Sequence, residues 1–227
     1  LGVLAPTGPE PRVRVRRDDF HIARMAQRRE TTTVFVVDAS GSAALHRLGE
    51  AKGAVELLLA DCYVRRDRVA LIAFRGAAAE LLLAPTRSLV RAKRSLAGLP
   101  GGGGTPLASA LDAAGLLAAA IVRRGGTPVI ALLTDGRANI ARDGSPGREA
   151  ALADALLAAR QLRSVGAQTL MVDTSPRSAV AGTARQLADA MGAQYLLLPQ
   201  ADAASLSRAV QAAQRGNVVR MGTQAGL

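Results

Sequence analysis

The chain has no tryptophan, and only 2% of its 227 residues are aromatic. Base-stacking platforms for nucleic acid interleave aromatic side chains with positive charge. The formal charge of +11 is therefore assigned to a solvated or protein-facing surface. Lysine is almost missing too: Lys52 and Lys93 are the only two, so nearly all the positive charge is arginine, scattered except at Arg12 to Arg17 and Arg28-Arg29. The single cysteine, Cys62, excludes an internal disulfide and a thiolate metal cage, and it suits a reducing cytoplasm. It lies inside an apolar helical pattern, where a thiol packs as a small hydrophobe. The longest apolar runs, Ala113 to Val122 and Val129 to Leu133, fall short of the roughly 20 residues that span a bilayer. With so few aromatics, a core must be built from Ala, Leu and Val.

What is present is alternation. Short apolar runs take turns with longer helical patterns, which points to an α/β fold: a doubly wound, mostly parallel sheet with helices on both faces. The pattern predicts strands at 33–37, 68–74, 79–83, 128–133, 168–172 and 194–198, six in all. Helices are expected at 44–62, 88–97, 106–123, 147–164, 178–190 and 202–213. Only Arg75 to Ala78 separate the second and third strands, too few residues for a helical crossover, so this pair should form an antiparallel hairpin at the sheet edge. Gly125-Gly126, Gly166 and Gly192 each fall just past a helical pattern, where left-handed C-caps belong. Residues 1–30 hold three of the ten prolines and alternating Val/Arg, and read as a basic arm or linker remnant with one edge strand at Val13 to Val15. Residues 31–213 read as one domain and 214–227 as a tail. The start, Leu-Gly-Val without Met or a charged-then-apolar leader, reads as a piece of a longer chain.

Three segments carry chemistry. Asp38-Ala39-Ser40-Gly41-Ser42 follows the run Val34 to Val37, so one carboxylate and two hydroxyls stand at a strand's C-terminal tip. Thr105 follows Gly101 to Gly104, whose bare backbone can fold close to a neighbouring site; before Pro106 it is also placed to cap the next helix. Asp135 ends the strand at 128–133. In an open parallel sheet, ligands bind at the carboxyl ends of strands where the strand order reverses. Hydroxyl and carboxylate oxygens suit a hard cation such as Mg²⁺, which keeps several waters. Asp38, Ser40, Ser42, Thr105 and Asp135 are thus the candidate metal ligands. Gly104, Arg137 and Asp143 are candidate rim residues for a partner; Asp143 also suits a plain solvated turn, and Arg137 a salt bridge. Asp173, ending the strand at 168–172, is a further polar group near this edge or a turn residue with Ser175-Pro176.

These motifs resemble the von Willebrand factor A (integrin I-type) family: DxSxS after a first hydrophobic strand, a GGTPL threonine and a TDG aspartate. The resemblance covers about residues 31 to 213 and implies a metal-ion-dependent adhesion site at Asp38, Ser40, Ser42, Thr105 and Asp135. VFVVDASGSA, LPGGGGTPLASALDAA, LLTDGRANIARDG and the late VDTSP look more closely like the C-terminal domain of the magnesium chelatase D-subunit family, bacteriochlorophyll type; cobalt chelatase subunits share much of the pattern. That resemblance implies Mg²⁺ as cofactor, with Mn²⁺ as an in-vitro substitute. It also implies an upstream AAA+-like module and an acidic proline-rich linker. The implied partners are an AAA+ I subunit and a porphyrin-binding H subunit, engaged through acidic integrin-type motifs. The implied setting is a hetero-oligomeric ring for ATP-dependent insertion of Mg²⁺ into protoporphyrin IX, with this portion itself non-catalytic.

Other chemistries fit less well. An aspartyl-phosphate nucleophile of the haloacid-dehalogenase type needs a second acid two residues on, where Ser40 stands. The loop from Gly101 to Thr105 lacks the Gly-Lys-Ser/Thr ending of a nucleotide-binding loop, and the first strand is not followed by Gly-x-Gly-x-x-Gly. A serine hydrolase would need a histidine base, and His21 and His46 are the only two, one in the arm and one on an expected helix surface. A metal-dependent hydrolase using the same cation stays open as the second reading, to be told apart by turnover.

Overall fold

Every strand begins as a β-branched or leucine-rich run, and six such runs pair into one sheet. The computed structural model describes residues 30–40, 56, 58–99, 101–175 and 182–197. Its elements in chain order are β1 (Thr31–Asp38), β2 (Arg68–Arg75), β3 (Ala78–Thr86), α1 (Leu89–Ala97), α2 (Leu107–Arg123), β4 (Thr127–Thr134), α3 (Arg148–Ser164), β5 (Gln168–Asp173), α4 (Thr183–Met191) and β6 (Gln194–Leu197). Residues 58–64 are also helical. The strand order is β3-β2-β1-β4-β5-β6, with β2–β3 antiparallel and all other neighbours parallel. This is the doubly wound sheet with one antiparallel edge strand that the sequence predicts. The edge strand β3 carries Pro85, and the interior strand β4 carries Pro128 only at its second residue, the strand positions proline tolerates.

Alternation along β1 divides the core. Val34 and Val36 face one layer, built with α2, α3 and α4; Phe35 and Val37 face the other, with Leu58, Leu59, Cys62, Ala92 and Leu96. Alanine dominates the first layer: Ala110, Ala114 and Ala118 of α2 and Ala151, Ala155, Ala158 and Ala159 of α3 are all buried. Such small side chains let two helices approach to the short end of the usual 8–10 Å spacing, consistent with a core short of aromatics. Cys62 is buried, its thiol pushed up by burial, in the packing role expected of it.

Helix boundaries follow local chemistry. Ser88 caps α1 by accepting from the Arg91 N–H, which satisfies one of the orphan donors of the first turn. Gly125, Gly166 and Gly192 follow α2, α3 and α4 with φ of 78°, 76° and 64°, the left-handed turns foreseen. The strand at Val13 to Val15, most of the helix at 44–62, the start of that at 178–190 and all of that at 202–213 lie outside the described residues. Among the described residues, no helix is long and apolar enough to cross a membrane.

Candidate metal centre

The strands run further than their apolar cores, and this carries polar residues into the ladder. Asp38 pairs in register with Phe74, and Thr134 with Asp173, so all these groups stand in the C-terminal rim of the sheet. β1 lies between β2 and β4, where the strand order reverses, the crevice in which open α/β sheets bind ligands.

Three of the expected ligands come together directly. Asp38 Oδ1 accepts from the Ser40 N–H at 2.9 Å and from Ser40 Oγ at 2.6 Å. Ser40 Oγ lies 2.6 Å from Thr105 Oγ1, across 65 residues of sequence. The second oxygen of Asp38, Oδ2, accepts from Thr134 Oγ1 at 2.6 Å, and Thr134 in turn accepts from the Gly136 N–H at 3.1 Å. Burial pushes the Asp38 carboxyl above its ordinary range; hydrogen bonds from Ser40 and Thr134 oppose the rise, and the charge of Asp135 adds to it. Asp135 therefore sits close enough to act on Asp38 electrostatically. Its own carboxylate accepts from the Arg137 N–H at 3.1 Å, and the Arg137 guanidinium approaches it at 3.9 Å. Ser42 lies outside the described residues.

The glycine loop reaches the site by close backbone contact. The Gly102 N–H donates to the Ala39 carbonyl at 2.9 Å. A Cβ on Gly104 would stand 2.5 Å from Ile140 Cγ1 and 2.8 Å from the Gly76 carbonyl oxygen, so the Ile140 side chain and the Gly76 backbone together fill this space. Gly104 itself is half-buried in this loop, at a position where a side chain would not fit. One expectation is corrected: Thr105 does not cap α2. Pro106 occupies the cap position with no side-chain bond, because the Thr105 hydroxyl is turned to Ser40 instead.

The other rim residues divide. Arg137 is largely exposed beside Asp135. Asp143 accepts from both the N–H and the hydroxyl of Ser145, which hold its carboxyl below the usual range, inside an exposed turn. Asp173 is fully buried and accepts from the Ser175 N–H at 2.8 Å and the Tyr195 hydroxyl at 2.5 Å, which makes it a turn residue that also ties β5 to β6. Two residues that sequence reasoning missed belong to the site: Thr134, which holds Asp38, and Asn139, whose Oδ1 accepts from the Thr105 N–H at 2.6 Å.

The donor set fits a small hard cation. Among the described residues, no group of three or more His, Cys, Asp or Glu side chains is placed to hold a metal, so a cation here would depend on hydroxyls. The Ser40 and Thr105 oxygens are hydrogen-bonded at 2.6 Å, and adjacent ligands in an octahedron with bonds of about 2.1 Å stand about 3.0 Å apart, so the two hydroxyls would part by a few tenths of an ångström to hold one cation. Burial and the Asp135 charge disfavour the ionised form of Asp38, and a bound cation would favour it.

Fold and site together define a class. Residues 33–137 match the von Willebrand factor type A domain family, and this portion of the chain is identified as a member of it. The von Willebrand domain of the type V pili tip protein Mfa5 from Porphyromonas gingivalis superposes with a TM-score of 0.65 at 13% identity, covering 82% of this chain and 96% of that one. At such identity the likeness shows the fold. Among curated proteins, the chain is 53% identical over 201 residues to the magnesium-chelatase 60 kDa subunit of Cereibacter sphaeroides, covering 88% of this chain and 35% of that protein. It is 50% identical over 209 residues to the subunit of the same name from Rhodobacter capsulatus, covering 92% of this chain and 37% of that protein. The chain thus spans roughly a third of the length of these relatives.

Proposed function

We propose that this chain is a divalent-cation-dependent docking domain of a magnesium chelatase D subunit. The observation that carries the reading is the contact of Asp38, Ser40 and Thr105 at the point where the strand order reverses, in a chain about half identical to named chelatase subunits. Asp38, Ser40, Ser42, Thr105 and Asp135 would hold Mg²⁺, with Mn²⁺ able to replace it in vitro. When bound, the cation supplies a Lewis-acidic position for a carboxylate oxygen from a partner protein.

The chain's own groups prepare that position. Thr134 and the Ser40 N–H fix the two oxygens of Asp38, so the carboxylate is oriented before any ligand arrives. The Gly102 N–H anchors the loop that brings Thr105 to Ser40. Most donors are neutral hydroxyls, so the bound cation keeps enough positive charge to attract an acidic side chain. The partners in this reading are the AAA+ I subunit and the porphyrin-binding H subunit, in a cytoplasmic ring complex. The magnesium inserted into protoporphyrin IX, at the expense of ATP, is a substrate of that complex and distinct from the cation held here. The domain docks, and the catalysis lies elsewhere in the assembly.

The test is capture of purified I and H subunits by the immobilised chain in Mg²⁺, in EDTA and with Asp38→Ala. Capture in Mg²⁺ that is lost under both other conditions is expected. Equal capture by the folded Asp38→Ala chain would remove the docking role.

A further inference from the structure

Within the segment between β4 and α3, residues 136–147 form a closed loop that grips one ligand candidate from behind. Asn139 holds Thr105 at both backbone groups: its Oδ1 accepts the Thr105 N–H at 2.6 Å, and its own N–H donates to the Thr105 carbonyl at 3.3 Å. Ile140 and Pro146 form a bridge, the Ala141 N–H donates to the Ser145 carbonyl at 2.9 Å, and the Gly147 N–H donates to the Asn139 carbonyl at 2.9 Å, which close the loop on itself. Ile140 also fills the space above Gly104.

Arg142 then fastens the loop to two helices. Its Nε and one terminal nitrogen each lie 2.9 Å from an Asp112 oxygen on α2, a bidentate pair. Its backbone N–H donates to Asp154 Oδ2 on α3 at 2.8 Å, and its guanidinium reaches Gln161 at 3.3 Å. A solvated turn needs none of these anchors. A hydroxyl that must meet a cation at a fixed place does, because side chains behind the ligands set their orientation.

We infer that Asn139 is a positioning residue for the cation site and that Arg142 is its anchor, the loop presetting the Thr105 hydroxyl before a cation binds. This inference rests on the cation reading above. It is tested on the whole 227-residue chain by calorimetric titration with Mg²⁺, alongside melting in EDTA. Asn139→Ala is expected to weaken Mg²⁺ by roughly 10–100-fold, as loss of an outer-shell partner does. Asn139→Asp, which keeps the acceptor oxygen, should stay within about threefold of the parent on the same grounds. Combined with Thr105→Ala, the Asn139→Ala loss should largely vanish, since the brace acts only through that hydroxyl. Arg142→Gln, a change at an exposed side chain, should weaken Mg²⁺ several-fold and carries the test if Asn139→Ala does not fold. Parental affinity in these two variants, or losses that add fully to that of Thr105→Ala, would overturn the inference and leave docking intact. A parent chain that takes up no Mg²⁺ would overturn both.

Discussion

Asp38 is the residue on which the site's energetics turn. Without a cation its ionised form is disfavoured by burial and by Asp135, so its folded-state pKa lies above the unfolded value. A carboxyl shifted in that direction contributes stability below its unfolded pKa and loses it as pH rises through the folded one. The cation-free chain should therefore melt higher as pH falls through that raised pKa. Asp38→Asn should flatten this gain, and at pH 7 in EDTA it should be no less stable than the parent. Adding Mg²⁺ at 100 times its Kd should stabilise the parent by about 2.7 kcal/mol and leave Asp38→Asn unmoved; an equal rise in both would place the cation elsewhere. Asp38, Ser40 and Thr105 are legible in sequence only together: each segment alone reads as a helix cap, a flexible loop or a turn, and it is their joint placement at strand ends that points to a cation. Thr134 is not, since a threonine ending Val129 to Leu133 reads as one more β-branched strand former. Asn139 is hidden differently: in a turn-rich stretch an Asn reads as a turn residue, and its partner Thr105 is 34 residues away.

At the scale of elements, two joints hold the rim together. Gly136, at φ 76°, follows Asp135 directly, and a Cβ there would stand 2.7 Å from the Ala184 backbone nitrogen at the start of α4. Gly136→Ala would add left-handed strain of about 1–3 kcal/mol to a backbone clash. A loss of at least 2 kcal/mol in urea unfolding is expected, about the middle of that range, and Mg²⁺ binding should weaken because Asp135 moves with its neighbour. The second joint is Tyr195 of β6, which donates to buried Asp173 of β5 and lies under the Arg185 guanidinium, 4.7 Å from the ring centroid. Burial and then Asp173 push the Tyr195 hydroxyl up to about 12. Its hydrogen bond contributes stability below the unfolded value near 10, and that contribution is lost as pH climbs through about 12. An absorbance titration should show a phenolate transition near 12 that Tyr195→Phe removes; if the transition that Tyr195→Phe removes instead lay near the ordinary value of about 10, the joint would be denied. The described elements are readable from periodicity, and the hairpin from its four-residue separation. Strand ends were not: Asp38, Thr134 and Asp173 lie in ladders that only pairing with neighbouring strands defines.

Across the whole molecule, charge and site pull on a partner by different laws. The chain carries +11 overall, and arginines exposed to solvent attract an acidic protein over a distance set by the Debye length, about 10 Å at 0.1 M salt. Such attraction speeds encounter and fades as salt is added. A carboxylate meeting a cation held by Asp38, Ser40 and Thr105 works at bonding distance, where screening is weak. In the proposed reading the two contributions separate in one kinetic experiment with the I subunit and the immobilised chain. Raising salt from about 0.05 to 0.5 M shortens the Debye length by about threefold, so it should slow association several-fold while the complex, once formed, dissociates at nearly its former rate. EDTA at low salt should act the other way, leaving early encounter intact and making the complex dissociate quickly. If salt removed binding entirely while EDTA changed neither rate, the arginine surface would be the docking element. The cluster at the head of β1 would then serve only to brace the loops that meet there.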